Sequence, residues 1–234
     1  LEQIHCNYSI YLIYFFKYKS KIKNVLKLIK CYHKTIIGKG IKMNIEEIKE
    51  AKTQYIGKHI LYYQQIDSTH KKAEELAKNK KVDSGTILIA EDQTAGIGTK
   101  GRSWYTGKEN IAMTISLFPN TNMQVLEGLT IRLAQAMQEI IKELYGYDLE
   151  IKLPNDLLFH KKKICGILTQ CASQEGKIQY LLISIGFNVN EEKFTKDTRE
   201  IATSLRRETN KIFSREKIIQ KWIEKVEQIL NSIF

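Results

Sequence analysis

Proline and cysteine are scarce in this sequence. Two prolines occur in 234 residues, and no Gly/Ser-rich stretch divides the chain, so nothing indicates a flexible linker between domains. The four cysteines form no CxxC pair, and no histidine stands at a metal-ligand spacing from them, which argues against a zinc ribbon or a disulfide scaffold. We expect small buried core cysteines in a reducing, cytoplasmic compartment.

Long apolar runs are missing as well. The most apolar stretch, "YSIYLIYFF" at 8–16, ends at Lys17 after nine residues, too few to span a bilayer. Lysines follow this run instead of preceding it, which is the wrong order for a secretory signal. We therefore expect no membrane span; a basic amphipathic segment lying on a membrane surface is the alternative.

The positive charge is concentrated at the start of the chain. The net charge is +11, and residues 1–42 contribute +8 of it from nine lysines and one acid, which leaves +3 elsewhere. A basic balance often indicates nucleic-acid binding, but a charge confined to one end says little about the remainder, and we expect no nucleic-acid partner. The composition changes at Met43, so we expect 1–42 to be a basic extension and 43–234 to form the functional domain.

Hydrophobic periodicity after Met43 predicts strands and helices in mixed order. The predicted strands are 59–66, 85–92, 110–118, 149–153, 162–173 and 178–190, and the predicted helices are 44–51, 67–81, 123–146 and 214–234. This pattern predicts an α+β fold, in which a mixed, largely antiparallel sheet packs against helices.

A glycine-rich segment, "AEDQTAGIGTKGRSW" at 90–104, contains the spacing G-x-G-x-x-G at Gly96, Gly98 and Gly101. That spacing indicates dinucleotide binding only where a helix follows, and here a turn and another strand follow. A Walker loop is excluded because Arg102 succeeds the last glycine.

The same segment nevertheless suits a ligand with a charged part and a ring. Backbone N–H groups in a glycine-rich turn bind anions, Lys100 and Arg102 add positive charge, and Trp104 offers a flat apolar face. A plain connection between strands with two solvated cations is the alternative.

A second cluster, "KLPNDLLFHKKKICGIL" at 152–168, contains a turn at Asn155 and Asp156 between two lysines. If the flanking strands pair, the amines of Lys152 and Lys163 reach one side and can stabilise charge on a phosphate or carboxylate. A hairpin with surface lysines is the alternative.

The two clusters stand between "DSTHKKAEELAK" and "SIGFNVN", with "ATSL" beyond, and this ordered set resembles biotin protein ligases from about residue 60 to 212. The resemblance implies the catalytic core shared with class II aminoacyl-tRNA synthetases. It also implies that ATP activates biotin to biotinyl-5′-AMP, and that a lysine of a biotin carboxyl carrier protein, in acetyl-CoA carboxylase or a related carboxylase, accepts the biotinyl group. Mg²⁺ is expected to be held mainly by the ATP phosphates, with no protein ligand assigned. No Ser-His or Cys-His pair is needed for this chemistry.

The resemblance also assigns roles to residues. Lys163 is expected to contact the biotin carboxylate and the phosphate as the main catalytic residue, with Arg102 as the chief charge of the loop. The expected biotin-binding residues are Ser68, Thr69, Gln93, Gly96, Gly98, Gly101, Trp104 and Gly166. The expected nucleotide-binding residues are Lys152, Asn155, Asp156 and Asn188.

Some positions depart from the family pattern. Ile97 and Thr99 stand where family loops commonly have arginines, His70 where asparagine is common, and Leu153 where tryptophan is usual. Two cations near the phosphate are thereby lost, and we expect the ordering of the loop or its affinity for the adenylate to differ from that of relatives.

Other modules found in relatives are not expected here. Residues 1–58 are too short for an N-terminal winged helix, and the C-terminal SH3-like module is expected to be absent or truncated. Two other readings stay open: a lipoate ligase or lipoyl transferase of the same superfamily, and a truncated, non-catalytic biotin-binding relative. Relatives often dimerise through sheet edges, so monomer and homodimer are both open.

Overall fold

The computed structural model describes residues 42–234. The basic extension predicted over 1–42 lies outside the described residues, apart from Lys42. Residues 42–234 form one unit with its own hydrophobic core. Within this range, no helix has both the length and the apolar character that a bilayer crossing requires.

Nine strands provide the framework of the described residues. They are β1 (Ile60–Tyr63), β2 (Thr86–Ala90), β3 (Gln93–Ile97), β4 (Ser103–Thr106), β5 (Ile111–Leu117), β6 (Glu150–Lys152), β7 (Asp156–Phe159), β8 (Lys162–Gln174) and β9 (Lys177–Phe187). Seven strands form one sheet in the order β1-β2-β5-β9-β8-β7-β6. The β1–β2 pair is parallel and the other neighbours are antiparallel. The prediction of a mixed, largely antiparallel sheet is therefore confirmed.

Between residues 42 and 234, five α-helices accompany the sheet. They are α1 (Ile45–Lys49), α2 (Thr69–Lys78), α3 (Leu129–Tyr145), α4 (Leu205–Thr209) and α5 (Arg215–Asn231). The prediction of one helix over 123–146 is wrong at its start. A 3-10 turn at Met123–Leu126 precedes Gly128, whose φ of 71° breaks the helical path before α3 begins. At its other end, α3 stops at its C-cap Gly146, whose φ of 76° suits glycine.

The two faces of the sheet have separate cores because side chains alternate along a strand. Ile87 and Ile89 of β2 belong to the large core that includes Trp222 of α5. Leu88 between them packs in a smaller core with Ala73 of α2. Helix α2 thus lies on the opposite face from α5, and its first turn lies above the middle of the sheet.

The glycine-rich segment is itself a small hairpin, which the sequence reading did not anticipate. Strands β3 and β4 pair with each other, and the turn Thr99–Gly101 joins them. The hairpin is attached to the chain just before α2, where Thr94 N–H donates to Ile66 O and Ala95 N–H donates to Asp67 O. These bonds place the hairpin beside the start of α2.

Candidate functional site

Two adjoining cavities lie where the β3–β4 hairpin meets β8 and β9. The small cavity measures about 40 Å³, and the large cavity measures about 500 Å³. Gly98, Thr99, Trp104 and Lys163 line both of them. The two clusters singled out in the sequence therefore meet at one place.

Thr69 and Gln93 form the polar end of the small cavity. The Gln93 side-chain carbonyl accepts hydrogen bonds from the Thr69 backbone N–H at 2.8 Å and from the Thr69 hydroxyl at 3.1 Å. Its amide nitrogen donates to the Thr106 hydroxyl at 3.0 Å. Ser68, the N-cap of α2, also lines this cavity. These groups are uncharged, so this end suits a neutral ligand with its own donors and acceptors.

The indole of Trp104 packs against the main sheet at two glycines, Gly166 and Gly186. A Cβ atom at Gly186 would lie 2.3 Å from the indole Cε2, and one at Gly166 would lie 3.2 Å from the indole Cζ3. Glycine at these positions of β8 and β9 is what allows the ring to approach the sheet. The indole occupies space above the strands, which explains the small volume of the cavity beneath it.

Lys163 stands at the junction of the two cavities. Its ammonium pairs with the Asp156 carboxylate at 2.7 Å and lies 5.1 Å from the centre of the Trp104 ring. Its backbone is fixed by bonds to Ile201 and Thr203. A half-buried ammonium in this position can contact anionic groups on both sides.

The large cavity is lined by Lys152, Arg102, Asp156 and Asn188. Lys152 and Lys163 both line this cavity, but their strands do not pair as the sequence suggested, because β7 lies between β6 and β8. In this structure the Arg102 guanidinium donates to Thr99 within its own loop, at 3.2 and 2.8 Å.

Two asparagines expected on the nucleotide side are held by buried backbone contacts. The Asn188 amide donates to Thr203 O at 3.0 Å, and the Asn155 amide donates to Ile167 O at 3.0 Å. Asn188 lines the large cavity, whereas Asn155 lines the small one.

The three loop glycines have different positions. Gly98 lines both cavities, and neither lining includes Gly96 or Gly101. A Cβ at Gly96 would lie 2.4 Å from Trp104 O, so this glycine permits the close pairing of the hairpin. Gly101 has a φ of 71°, which glycine adopts readily, and it forms part of the turn that joins β3 and β4.

Sequence reasoning missed several residues of the site, among them Thr114, Ser184 and Gly186. All three line or underlie the small cavity. Ser184 and Gly186 alternate in the apolar strand "LLISIGF", so their shared face was the available signal. Thr114 lies within the fully buried β5 and gave no signal.

Other chemistry is not supported by the described residues. Burial raises the pKa of the Cys165 thiol, which keeps it protonated and unreactive near neutral pH. Between residues 42 and 234, no group of three or more His, Cys, Asp or Glu side chains is placed to hold a metal ion.

Comparisons with known proteins agree with this geometry. The model of the biotin/lipoate A/B protein ligase family matches residues 62–188. The bifunctional ligase/repressor BirA of Bacillus subtilis is 36% identical over 189 residues, which cover 79% of this chain and 58% of that protein. The biotin–[acetyl-CoA-carboxylase] ligase of Paracoccus denitrificans is 30% identical over 125 residues, covering 53% of this chain and 51% of that protein. The chain thus spans less than two thirds of the length of these relatives.

A solved structure shows the same architecture. The biotin protein ligase from Aquifex aeolicus in complex with biotin and ATP superposes with a TM-score of 0.63 at 27% identity, covering 75% of this chain and 71% of that one. The family model covers more than half of the sequence, and its range contains both cavity-forming clusters. The chain therefore belongs to the biotin/lipoate A/B protein ligase family.

Proposed function

We propose that the protein activates biotin with ATP and transfers the biotinyl group to a lysine of a biotin carboxyl carrier protein. One observation carries the proposal: the Lys163 ammonium lies between an uncharged, hydrogen-bonding cavity and a larger cavity lined by cations. Such a site suits the joining of a carboxylate on a neutral ring to a nucleotide phosphate. A relative named as a biotin ligase and a similar structure solved with biotin and ATP support the choice of substrates.

The first step needs charge stabilisation more than a protein nucleophile. A biotin carboxylate oxygen attacks the α-phosphorus of ATP, and the bond between that phosphorus and the β-phosphate oxygen breaks, so that pyrophosphate leaves with the electron pair. Lys163 stabilises the negative charge on the carboxylate and on the transferring phosphoryl oxygens. Asp156, at 2.7 Å, holds the ammonium in place.

The second step is acyl transfer. The uncharged amine of the carrier lysine attacks the carbonyl carbon of the mixed anhydride, AMP leaves, and the amine loses a proton as the amide forms. The positive charge of Lys163 remains beside the departing phosphate, which favours AMP as the leaving group.

On the nucleotide side, Lys152, Arg102 and Asn188 would contact ATP in the large cavity. Asp156 and Glu200 are the carboxylates that line it. Mg²⁺ would enter bound mainly to the ATP phosphates, where it neutralises charge on the departing pyrophosphate.

On the biotin side, Trp104 must move when the ligand enters. A cavity of about 40 Å³ holds roughly one water molecule, which is far less than a bicyclic acid requires. The sequence has two tryptophans, and Trp222 is fully buried in the core. Biotin should therefore change the fluorescence of Trp104, and Trp104→Phe should lose that change.

Biotin-dependent exchange of labelled pyrophosphate into ATP tests the proposed function, with lipoate as a parallel substrate. Exchange with biotin alone is the expected result. Exchange with lipoate alone would assign the protein to the lipoate branch of its family. Folded protein that binds biotin without exchange would be a non-catalytic relative.

A further inference from the structure

The turn that joins β3 and β4 is closed by hydrogen bonds of its own. The Gly98 backbone N–H donates to Arg102 O at 2.7 Å, and the Arg102 backbone N–H donates to Thr99 O at 3.3 Å. Between them, Lys100 and Gly101 have left-handed backbone with φ of 56° and 71°. A glycine-rich turn loses much conformational entropy when it orders, so bonds within the turn favour its ordering before a ligand arrives.

The side chain of Arg102 takes part in this closure. Its Nε donates to Thr99 O at 3.2 Å, and its Nη2 donates to the Thr99 hydroxyl at 2.8 Å. We call these two side-chain bonds the Thr99–Arg102 clasp. Arg102 is exposed, and a long exposed side chain samples many rotamers unless contacts restrain it. The clasp therefore fixes a guanidinium that would otherwise move freely.

The clasp holds this guanidinium at the large cavity. Thr99 and Arg102 both line that cavity, whereas Lys100, the other cation of the turn, lines neither cavity. Both acceptors in the clasp are uncharged oxygens, so the guanidinium keeps its full positive charge. A guanidinium has more N–H groups than the two used here, and the others can donate to an anionic ligand.

We propose that Thr99 is a positioning residue, whose hydroxyl and carbonyl hold the Arg102 guanidinium at the large cavity before the nucleotide binds. Such preorganisation strengthens binding because the side-chain entropy is lost before the ligand arrives. Thr99 stands where family loops commonly have arginine, and an arginine side chain, which has no acceptor, could not supply the hydroxyl bond. The choice of ATP as the ligand rests on the proposed function.

The first test measures whether the clasp orders the turn, and it needs no ligand. Trypsin cleaves after lysine, so cleavage of the Lys100–Gly101 bond in the native full chain reports how often the turn opens. Thr99→Val keeps the branched shape and loses the hydroxyl, and should raise the rate of this cleavage about fivefold, the effect of one lost hydrogen bond. Thr99→Ser keeps the hydroxyl and should be cleaved at close to the wild-type rate. Mass spectrometry identifies the cut, and cleavage after Lys81, an exposed residue before β2, is the internal control.

The second test is the ATP dependence of pyrophosphate exchange with biotin. In Thr99→Val the guanidinium must be ordered during nucleotide binding, so the KM for ATP should rise about three- to tenfold while kcat changes less than about twofold. Thr99→Ser should restore the wild-type KM. A merely structural role of Thr99 would lower the thermal midpoint and leave the KM for ATP unchanged.

A double-mutant cycle tests whether Thr99 acts through Arg102. Arg102→Lys keeps the positive charge and removes the planar group that spans both Thr99 oxygens. Adding Thr99→Val to Arg102→Lys should therefore raise the KM for ATP little further. An equal rise in the wild-type and Arg102→Lys backgrounds would overturn the action through Arg102.

The outcomes separate this proposal from the proposed function. Unchanged cleavage after Lys100 in Thr99→Val would overturn the clasp, and wild-type exchange with biotin would still stand. Faster cleavage with an unchanged or lowered KM for ATP would overturn the positioning role. Absence of exchange in the wild type would overturn the proposed function and the choice of ligand, and the cleavage rates would still decide whether the clasp orders the turn.

Discussion

Lys163 is the side chain on which the proposed chemistry depends most, because it lines both cavities and its ammonium is held by an ion pair with Asp156. We expect Lys163→Ala to lower biotin-dependent pyrophosphate exchange by about 10²–10³-fold, the cost of removing one preorganised charged donor. Lys162→Ala is the matched control, since the neighbouring ammonium lines neither cavity and donates to Arg199 O at 3.3 Å. Equal exchange rates in the two variants, with equal thermal midpoints, would remove Lys163 from the catalytic role.

A substitution at Gly186 tests how Trp104 packs against the sheet. A methyl group there would lie 2.3 Å from the indole, so Gly186→Ala should displace the ring and lower the free energy of unfolding by about 1–3 kcal/mol. The displaced indole should emit at longer wavelength.

A second substitution separates this clash from a general effect on the strand. Trp104→Ala in the Gly186→Ala background removes the atoms that collide, and should restore part of the lost stability, measured by urea unfolding. Additive losses in the double variant would mean that the methyl group and the indole do not meet.

At the scale of elements, the sequence predicts regular, buried segments well and short exposed ones poorly. Strand β5 and helix α5 have continuous apolar or amphipathic patterns, and both were predicted within one to three residues of their bounds. The β3–β4 hairpin was missed because its strands have five and four residues, are mostly half-buried or exposed, and contain glycines that carry no periodic signal.

In the candidate site too, the parts with a local sequence pattern were predicted and the parts formed by distant residues were not. The glycine loop and the segment after Lys152 were found because fixed residue types recur at fixed spacing. The contact between His70 and Ser184 joins residues 114 positions apart. Such a pairing depends on how α2 lies on the sheet, and no local pattern contains it.

A brace between two elements makes stability depend on pH. Glu208 of α4 accepts from Thr203 at 2.5 Å and from His160, in the β7–β8 turn, at 2.8 Å. Burial acts to raise the pKa of Glu208, but these hydrogen bonds outweigh it and hold the pKa below its usual value. Thr203 N–H in turn donates to Lys163 O, so the brace supports the backbone at the candidate catalytic residue.

A carboxyl group with a lowered pKa in the folded state stabilises the protein above its unfolded pKa, and the contribution is lost as pH falls through the folded pKa. We expect the wild-type thermal midpoint to exceed that of Glu208→Gln by about 1–3 °C near neutral pH, a small effect because the pair is partly exposed. The difference should shrink as the pH falls through the lowered pKa of Glu208. Glu150→Gln, which removes an exposed pair in the same turn, should have a smaller effect; a larger one would contradict the brace.

At the scale of the whole molecule, one buried carboxylate joins the start of the described chain to its last helix. Glu91 accepts from Met43 N–H at 2.6 Å and from the Tyr62 hydroxyl at 2.8 Å, and pairs with Arg215 at 2.6 Å. Burial, followed by the hydrogen bond to Glu91, raises the pKa of Tyr62. Since Met43 is itself buried, the contacts of residue 43 are part of this fold.

We therefore expect a protein that starts at Met43 to fold as the full chain does. A free α-amino group at this position would still donate to Glu91, and Ile48 of α1 would still fill the core. Its thermal midpoint should lie within about 2–4 °C of that of the full chain, the shift that about 1 kcal/mol produces in a domain of this size. A protein that starts at Lys52 is the control: it loses Met43, Ile48 and the bond from Asn44 to Glu216, and should melt well below both. If the protein starting at Met43 melted as low as this control, residues before Met43 would belong to the fold, and the boundary proposed from the change in charge would be wrong.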